Sequence, residues 1–433
     1  MAELVDAGIS ERCVTLAEWL DGRRPTHLST NSGAEPIAFQ WRNFKEAFAP
    51  ELVAQAFEET SLALGRDVRN CIDPFGGSGT TALASQFLGV SPLTVEVNPY
   101  LADLIEAKLA RYDLEALLDD YSGLLDGIVP FSGDPFPGAP ATFVEPGVNG
   151  RYLFSMDVAA EFASIRKAVD AVKCERHQRL FRVLLASISI TVSNAVVSGK
   201  GRRYRRGWQD RRVAPGAVLE HFDRSVAKAV YDINRYANRP CLDYEIRRGD
   251  CRELIPEDAE FDMAVFSPPY PNSFDYTDVY NVELWTCGYL SGKAENRALR
   301  MSTLRSHVQI HRSYETPALP SERLKEVVSR LEAVRSSLWN PGIPQMVRAY
   351  FGDMNKVLSD LSSILVKNGR AYCVVGDSRY QDIQVPVGEI LCELAEPLGL
   401  RKVGAEPFRS MRASPQQGGR LELLETLLIF ERA

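Results

Sequence analysis

The chain has no Cys-x-x-Cys pair. Its eight cysteines, Cys13, Cys71, Cys174, Cys241, Cys251, Cys287, Cys373 and Cys392, are scattered. A structural zinc site is not expected from that spacing, and scattered thiols suit a reducing compartment. There is no Gly-Lys-Ser or Gly-Lys-Thr, which excludes the phosphate-binding loop of nucleoside triphosphatases. No run of about eighteen apolar residues occurs, so no membrane span is expected. The opening Met1-Ala2-Glu3-Leu4-Val5-Asp6 is acidic and lacks the apolar core of a signal peptide, so the expected location is the cytoplasm. No internal repeat or low-complexity tract is visible. Positive charge is in the minority: the formal net charge is −7. That excludes a protein coated in cations but not a local basic patch, which is what nucleic acid requires.

What is present describes a globular protein. The 433 residues are 45% hydrophobic and 25% charged, enough for a large core in one decorated domain or in two to three ordinary ones. The most informative stretch is Asp73-Pro74-Phe75-Gly76-Gly77-Ser78-Gly79-Thr80-Thr81. Val68 to Ile72 before it is of strand type. Ala82 to Leu88 after it reads as a helix ended by Gly89. The glycines therefore sit on a strand-to-helix turn, where the backbone can approach a ligand and the new helix offers unpaired N–H groups. Ser91 to Glu96 reads as the next strand, and it ends in an acid about twenty residues on, where a ribose-binding carboxylate belongs. These features predict a doubly wound, Rossmann-like α/β sheet.

Along the chain, 1–40 reads as an N-terminal extension with one short helix near Cys13 to Leu20. Pro50 fits the first turn of a helix that continues to about Leu64. Strand 68–73, helix 79–89, strand 92–97 and a helix near 100–112 form the first βαβα unit. A Pro- and Gly-rich segment from Gly127 to Gly150 reads as a loop, and 157–238 reads as helical. Inside it sits the most basic stretch, Gly199 to Arg212, with Lys200, Arg202, Arg203, Arg205 and Arg206 beside Tyr204 and Trp208. Cations would meet phosphates there, and the aromatics would stack on bases; a solvated charged loop is the plainer reading.

The alternation resumes with a strand near Leu242 to Ile246, then Gly249-Asp250, then the buried-type strand Phe261 to Phe266. That strand runs into Ser267-Pro268-Pro269-Tyr270. Consecutive prolines force an extended, stiff backbone and remove N–H donors, so carbonyls are left facing outward. Asp275 to Trp285 reads as one helix. Residues 291–320 read as a basic loop, in which His307 and His311 lack a third partner for a metal. Helices near 320–338 and 343–366, a strand at 371–377, a helix near 384–396 and two strands near 400–406 and 422–430 complete the sheet. The expected division is 41–112 for the cofactor half, 113–240 for a mainly helical insertion, and 241–433 for the catalytic half, with a basic insertion at about 291–345.

The glycine turn and Ser267-Pro268-Pro269-Tyr270, taken together, resemble the amino-group DNA methyltransferases, which modify cytosine N4 or adenine N6. The resemblance covers about 41–112 and 240–430. It implies a methyltransferase sheet, mostly parallel with an antiparallel last strand, and S-adenosylmethionine as cofactor. Double-stranded DNA is the implied substrate, and a restriction or defence protein the implied partner. By the same resemblance Asp73, Pro74, Phe75, Gly76, Gly77, Ser78, Gly79 and Thr80 would hold the methionine part of the cofactor. Glu96 would bind the ribose and Asp250 the adenine edge, with Phe44, Lys45 and Phe48 as a less clear contact segment. Ser267, Pro268, Pro269 and Tyr270 would hold the target base.

Chemistry agrees with those roles. The exocyclic amine is a poor nucleophile because its lone pair is delocalised into the ring. An acceptor for its N–H, such as the Ser267 side chain or the Pro268 carbonyl, makes it more pyramidal. Attack on a sulfonium methyl then needs only proximity and alignment. An amine hidden in a duplex must be turned out, and Tyr270 is the natural stacking face. Serine at position 267, where adenine enzymes more often carry Asp or Asn, favours cytosine N4. Adenine N6, or an RNA or protein amine, is the alternative. The cofactor motif precedes the catalytic motif, the reverse of many cytosine-N4 enzymes. Sequence recognition would fall to the 113–240 or the 291–345 insertion.

Overall fold

Seven strands make one sheet in the computed structural model, which describes residues 13–31, 36–42, 44, 47–198, 201–272, 274–412 and 422–433. They are β1 Asn70–Asp73, β2 Ser91–Glu96, β3 Glu245–Arg248, β4 Phe261–Phe266, β5 Leu365–Gly376, β6 Leu400–Arg412 and β7 Glu422–Arg432. Their order across the sheet is β6-β7-β5-β4-β1-β2-β3. The run from β3 to β5 is parallel, and β7 is antiparallel to both β5 and β6. The chain moves outward from β1 to β3 on one side, then returns to β4 and moves outward on the other. The carboxyl ends of β1 and β4 therefore meet at the switch point, where open α/β sheets bind their ligands.

Burial on both faces explains the composition of the central strands. In β4, Met263 and Val265 join one core, while Ala264 and Phe266 join the other. Three helices flank the ligand edge: α1 Pro50–Leu64, α2 Thr80–Phe87 and α3 Pro99–Leu109. Proline opens α1 and Gly65, at φ 67°, closes it. The Asn98 side chain caps α3 by accepting from the N–H groups of Tyr100 and Leu101. The first core continues into helices Met156–Asp170, Glu175–Val192 and Ala217–Arg235 of the long insertion. The second is closed by Glu322–Ala333, Ile343–Ile364 and Val387–Ala395.

The structure departs from the sequence reading at several elements. The basic stretch is not part of a helical run: Ala195–Ser198 and Gly201–Tyr204 pair as an antiparallel hairpin. Val196 and Val197 favour extended backbone there. A second hairpin, Ser378–Tyr380 with Ile383–Val385, turns through Gln381 at φ 52° before the last helix. The expected helix at 275–285 is broken into Tyr276–Val279 and Asn281–Thr286. The loop expected at 291–320 contains a helix, Lys293–Met301. Among the described residues no helix is long and apolar enough to cross a membrane.

Candidate active site

The glycine turn is built by packing from below. A Cβ on Gly76 would overlap the Thr94 side chain and lie 2.8 Å from Ile105 Cδ1. Gly79, at φ 78°, starts α2 and has Ile105 at its back. Only glycine keeps this turn against β2 and α3. The Gly76 N–H donates to the Val95 carbonyl at 3.0 Å.

Two buried acids brace the turn. The Asp73 carboxylate accepts from the Phe75 N–H at 2.9 Å. The Glu96 carboxylate accepts from the Gly77 N–H at 2.7 Å through one oxygen and from the Asn98 N–H at 2.8 Å through the other. Burial pushes both carboxyls up to about 7, above the usual carboxyl range, and the backbone donors only partly offset it. Lys108, from α3, donates to the Ser78 carbonyl at 2.6 Å, and burial pulls its ammonium down to about 7. The sequence reading missed Lys108; a lysine on the otherwise buried face of a helix is the signal that could have found it.

The Ser267-Pro268-Pro269-Tyr270 turn is pinned at both ends. The Ser267 hydroxyl donates to the Val374 carbonyl of β5 at 3.0 Å. The Tyr270 hydroxyl donates to Glu425 Oε1 of β7 at 3.0 Å and lies 3.5 Å from Ser267 Oγ. The buried Tyr380 hydroxyl donates to the Pro271 carbonyl at 2.7 Å.

Both turns open into one cavity of about 330 Å³ at the switch point. Asp73 to Ser78 and Thr80 line one wall, and Ser267 to Tyr270 line another. Gly79 lies behind, against a small neighbouring void that Lys108 also lines. Glu96 and Asp250 face the main cavity. So do Phe44 and Phe48, and Phe44 stacks on Tyr280 with centroids 5.3 Å apart. Lys45 lies outside the described residues.

Asp250 is less free than the sequence suggests. It caps the short helix Cys251–Leu254 and accepts from Arg252, whose guanidinium also pairs with Asp353 at 3.0 Å. Arg305 joins the same Asp353 at 2.7 Å and so ties the loop bearing Thr303, Leu304 and His307 to this wall of the cavity. His307 is buried and His311 exposed, so the two do not share a site.

The basic stretch divides. Arg205 donates to the Ile190 and Ser193 carbonyls at the end of a helix, a structural task. Trp208 is buried, edge-on to Tyr152 and 4.8 Å from the Tyr204 ring centroid; it offers no open stacking face, contrary to expectation. Arg202 pairs with Asp278 at 3.1 Å, which sets the hairpin beside the segment after the Ser267–Tyr270 turn. Arg203 and Arg206 are exposed, and Lys200 lies outside the described residues. The only cluster of metal-binding groups among the described residues is Asp120, Cys174 and His177, none of which lines the cavity.

No family model matches the chain. Type II methyltransferase M.AvaI of Anabaena variabilis is 26% identical over 91% of this chain and 86% of its own length. Type II methyltransferase M.BsoBI of Geobacillus stearothermophilus is 24% identical over 90% of this chain and 85% of its own. M.MjaII of Methanocaldococcus jannaschii is 32% identical over a shorter segment, 17% of this chain and 13% of its own length. Among solved structures, TrmN from Thermus thermophilus aligns over 89% of this chain and 49% of its own, with 11% identity and a TM-score of 0.28. The fold rests on the strand order and not on that superposition. Over most of its length the chain is a homologue of type II methyltransferases, in agreement with the resemblance carried by its two motifs.

Proposed function

We propose that this homologue of type II methyltransferases is a DNA methyltransferase that moves a methyl group from S-adenosylmethionine to the exocyclic amine of a base turned out of the duplex, cytosine N4 in preference to adenine N6. The observation that carries the reading is the shared cavity: the glycine turn and the proline-stiffened turn face each other across it.

The residues present fit the cofactor. The cavity volume lies within the range of small-molecule sites, about 300–1,000 Å³. Gly76 and Gly77 keep the backbone of that wall bare, and Glu96 holds the turn while retaining lone pairs for ribose hydroxyls. Bound there, the cofactor supplies a methyl group on a sulfonium centre.

The chain's own groups supply orientation. The Ser267 hydroxyl commits its proton to Val374, so its oxygen can accept from the amine N–H. The proline turn removes competing N–H donors and stiffens the wall on which the amine rests. The Tyr270 ring, with its hydroxyl held by Glu425, offers a fixed face for the base. A serine in this turn supports cytosine over adenine. The exposed Arg203, on the hairpin that Arg202 ties to Asp278, and Arg206, just after it, suit phosphate contact. The relatives are named type II methyltransferases, which suits a place in restriction-modification; a cognate nuclease is the partner such a place would bring.

The test is a substrate panel. Labelled S-adenosylmethionine is offered with duplex DNA, tRNA and protein. Label in DNA alone, lost in Ser267→Ala and Tyr270→Ala with cofactor binding kept, supports the reading. Label in tRNA or protein instead, or activity surviving both substitutions, overturns it.

A further inference from the structure

Strand β7 carries one acid in an apolar run, Leu423-Leu424-Glu425-Thr426-Leu427-Leu428-Ile429. Glu425 is 3% exposed, lines the cavity and sits opposite Gly376 of β5 in the antiparallel register. A carboxylate buried on a sheet face is costly unless it does something that an apolar residue cannot. One oxygen of that carboxylate accepts from the Tyr270 hydroxyl, at 3.0 Å. Ser267 Oγ lies 3.5 Å from that same hydroxyl and donates its own proton to Val374 on β5.

We propose that Glu425 is a positioning residue for methyl transfer, one that accepts the Tyr270 hydrogen bond so that the Ser267 oxygen stays an acceptor for the incoming amine. The inference rests on the methyltransferase reading. Each hydroxyl has one proton. With the Tyr270 hydroxyl donating to Glu425 and the Ser267 hydroxyl donating to Val374, neither proton is spent between the two. Without the carboxylate, Tyr270 can turn its hydroxyl to Ser267 Oγ, 3.5 Å away. That bond would occupy a lone pair the amine needs, and it would release the ring from β7. Glu425 therefore acts through two other residues and need not touch the base itself. Being on the antiparallel last strand, it joins that strand to chemistry at the end of β4.

The experiment is a double-mutant cycle read by single-turnover methyl transfer to genomic DNA from a strain lacking this protein, with cofactor affinity measured by calorimetry. Glu425→Ala should slow transfer by about ten- to a hundredfold, the range for one hydrogen bond to a charged group, with cofactor Kd within about threefold. Glu425→Gln, which keeps a carbonyl acceptor, should recover most of the rate. Adding Tyr270→Phe to Glu425→Ala should slow transfer no further, because it also removes the competing proton. If Glu425→Ala does not fold, the Gln variant is compared alone and on a Tyr270→Phe background, where any loss should vanish. Wild-type rate in Glu425→Ala, or multiplicative losses in the double variant, overturns the proposal while leaving the methyltransferase reading intact. A wild-type protein that binds the cofactor but labels no DNA overturns that reading, and this proposal with it.

Discussion

Ser267 is where the account is most exposed at the scale of one residue. In the proposed reaction its oxygen would be the acceptor that prepares the amine, and its hydroxyl also donates to Val374. Ser267→Ala should lower transfer by about a hundredfold or more, as loss of an aligned acceptor does, with cofactor Kd unchanged by calorimetry. Gly76 tests the other wall. Gly76→Ala places a methyl against Thr94 and 2.8 Å from Ile105 Cδ1. Overpacking of this kind costs about 1–3 kcal/mol, so both the melting temperature and the cofactor affinity should fall. The two variants should separate cleanly: one keeps binding and loses transfer, the other loses binding first. Both residues were legible in the sequence, because glycine and proline announce their backbone demands locally. Lys108 and Glu425 were not. Each is distant in the chain from the atom it holds, and single-residue chemistry gives no sign of which carbonyl or hydroxyl it will meet.

At the scale of the element, the ends of β1 and β2 and helix α3 hold buried titratable groups that make stability depend on pH. Asp73 and Glu96 have ordinary values of 3.8 and 4.5 and are both raised to about 7 by burial. The stability these protonated acids contribute is fully present below about 4 and is lost as pH rises through 7, because the unfolded chain gives up its protons first. Lys108 is lowered from 10.5 to about 7. Its unfavourable term grows as pH falls from 10.5 toward 7 and is constant below that, so it adds no slope in the window where the acids titrate. Asp73→Asn should therefore flatten the fall in melting temperature of the cofactor-free protein between pH 5 and pH 7. An unchanged slope would remove Asp73 as its source. The hairpin makes a separate prediction. Arg203→Ala with Arg206→Ala should weaken DNA binding and reduce the slope of log K against log salt by about two, with cofactor affinity kept; an unaltered slope would take the hairpin off the DNA. This element was misread from sequence because its charge run drew attention from Val196 and Val197, whose pairing across the turn is what shapes it.

At the scale of the whole molecule, the α/β class was readable from two local signals, a glycine turn after one strand and a proline turn after another, whereas the order of the seven strands came from the structure. Strand periodicity then placed β5, β6 and β7 to within a few residues at most of their ends. The long insertion was readable only as helical, since its docking on α3 and on Asn281–Thr286 depends on contacts far apart in the chain. What the fold adds is the meeting of the two turns at one switch point, over a cavity neither could form alone. The most direct test of that claim is to incubate the purified protein with unmethylated duplex DNA and labelled S-adenosylmethionine, digest the product to nucleosides, and identify the labelled one. The account predicts N4-methylcytosine, absent when Ser267→Ala replaces the wild-type chain. Label on another nucleoside would contradict the choice of base, and cofactor binding without any labelled nucleoside would contradict the shared cavity as a site of methyl transfer to DNA.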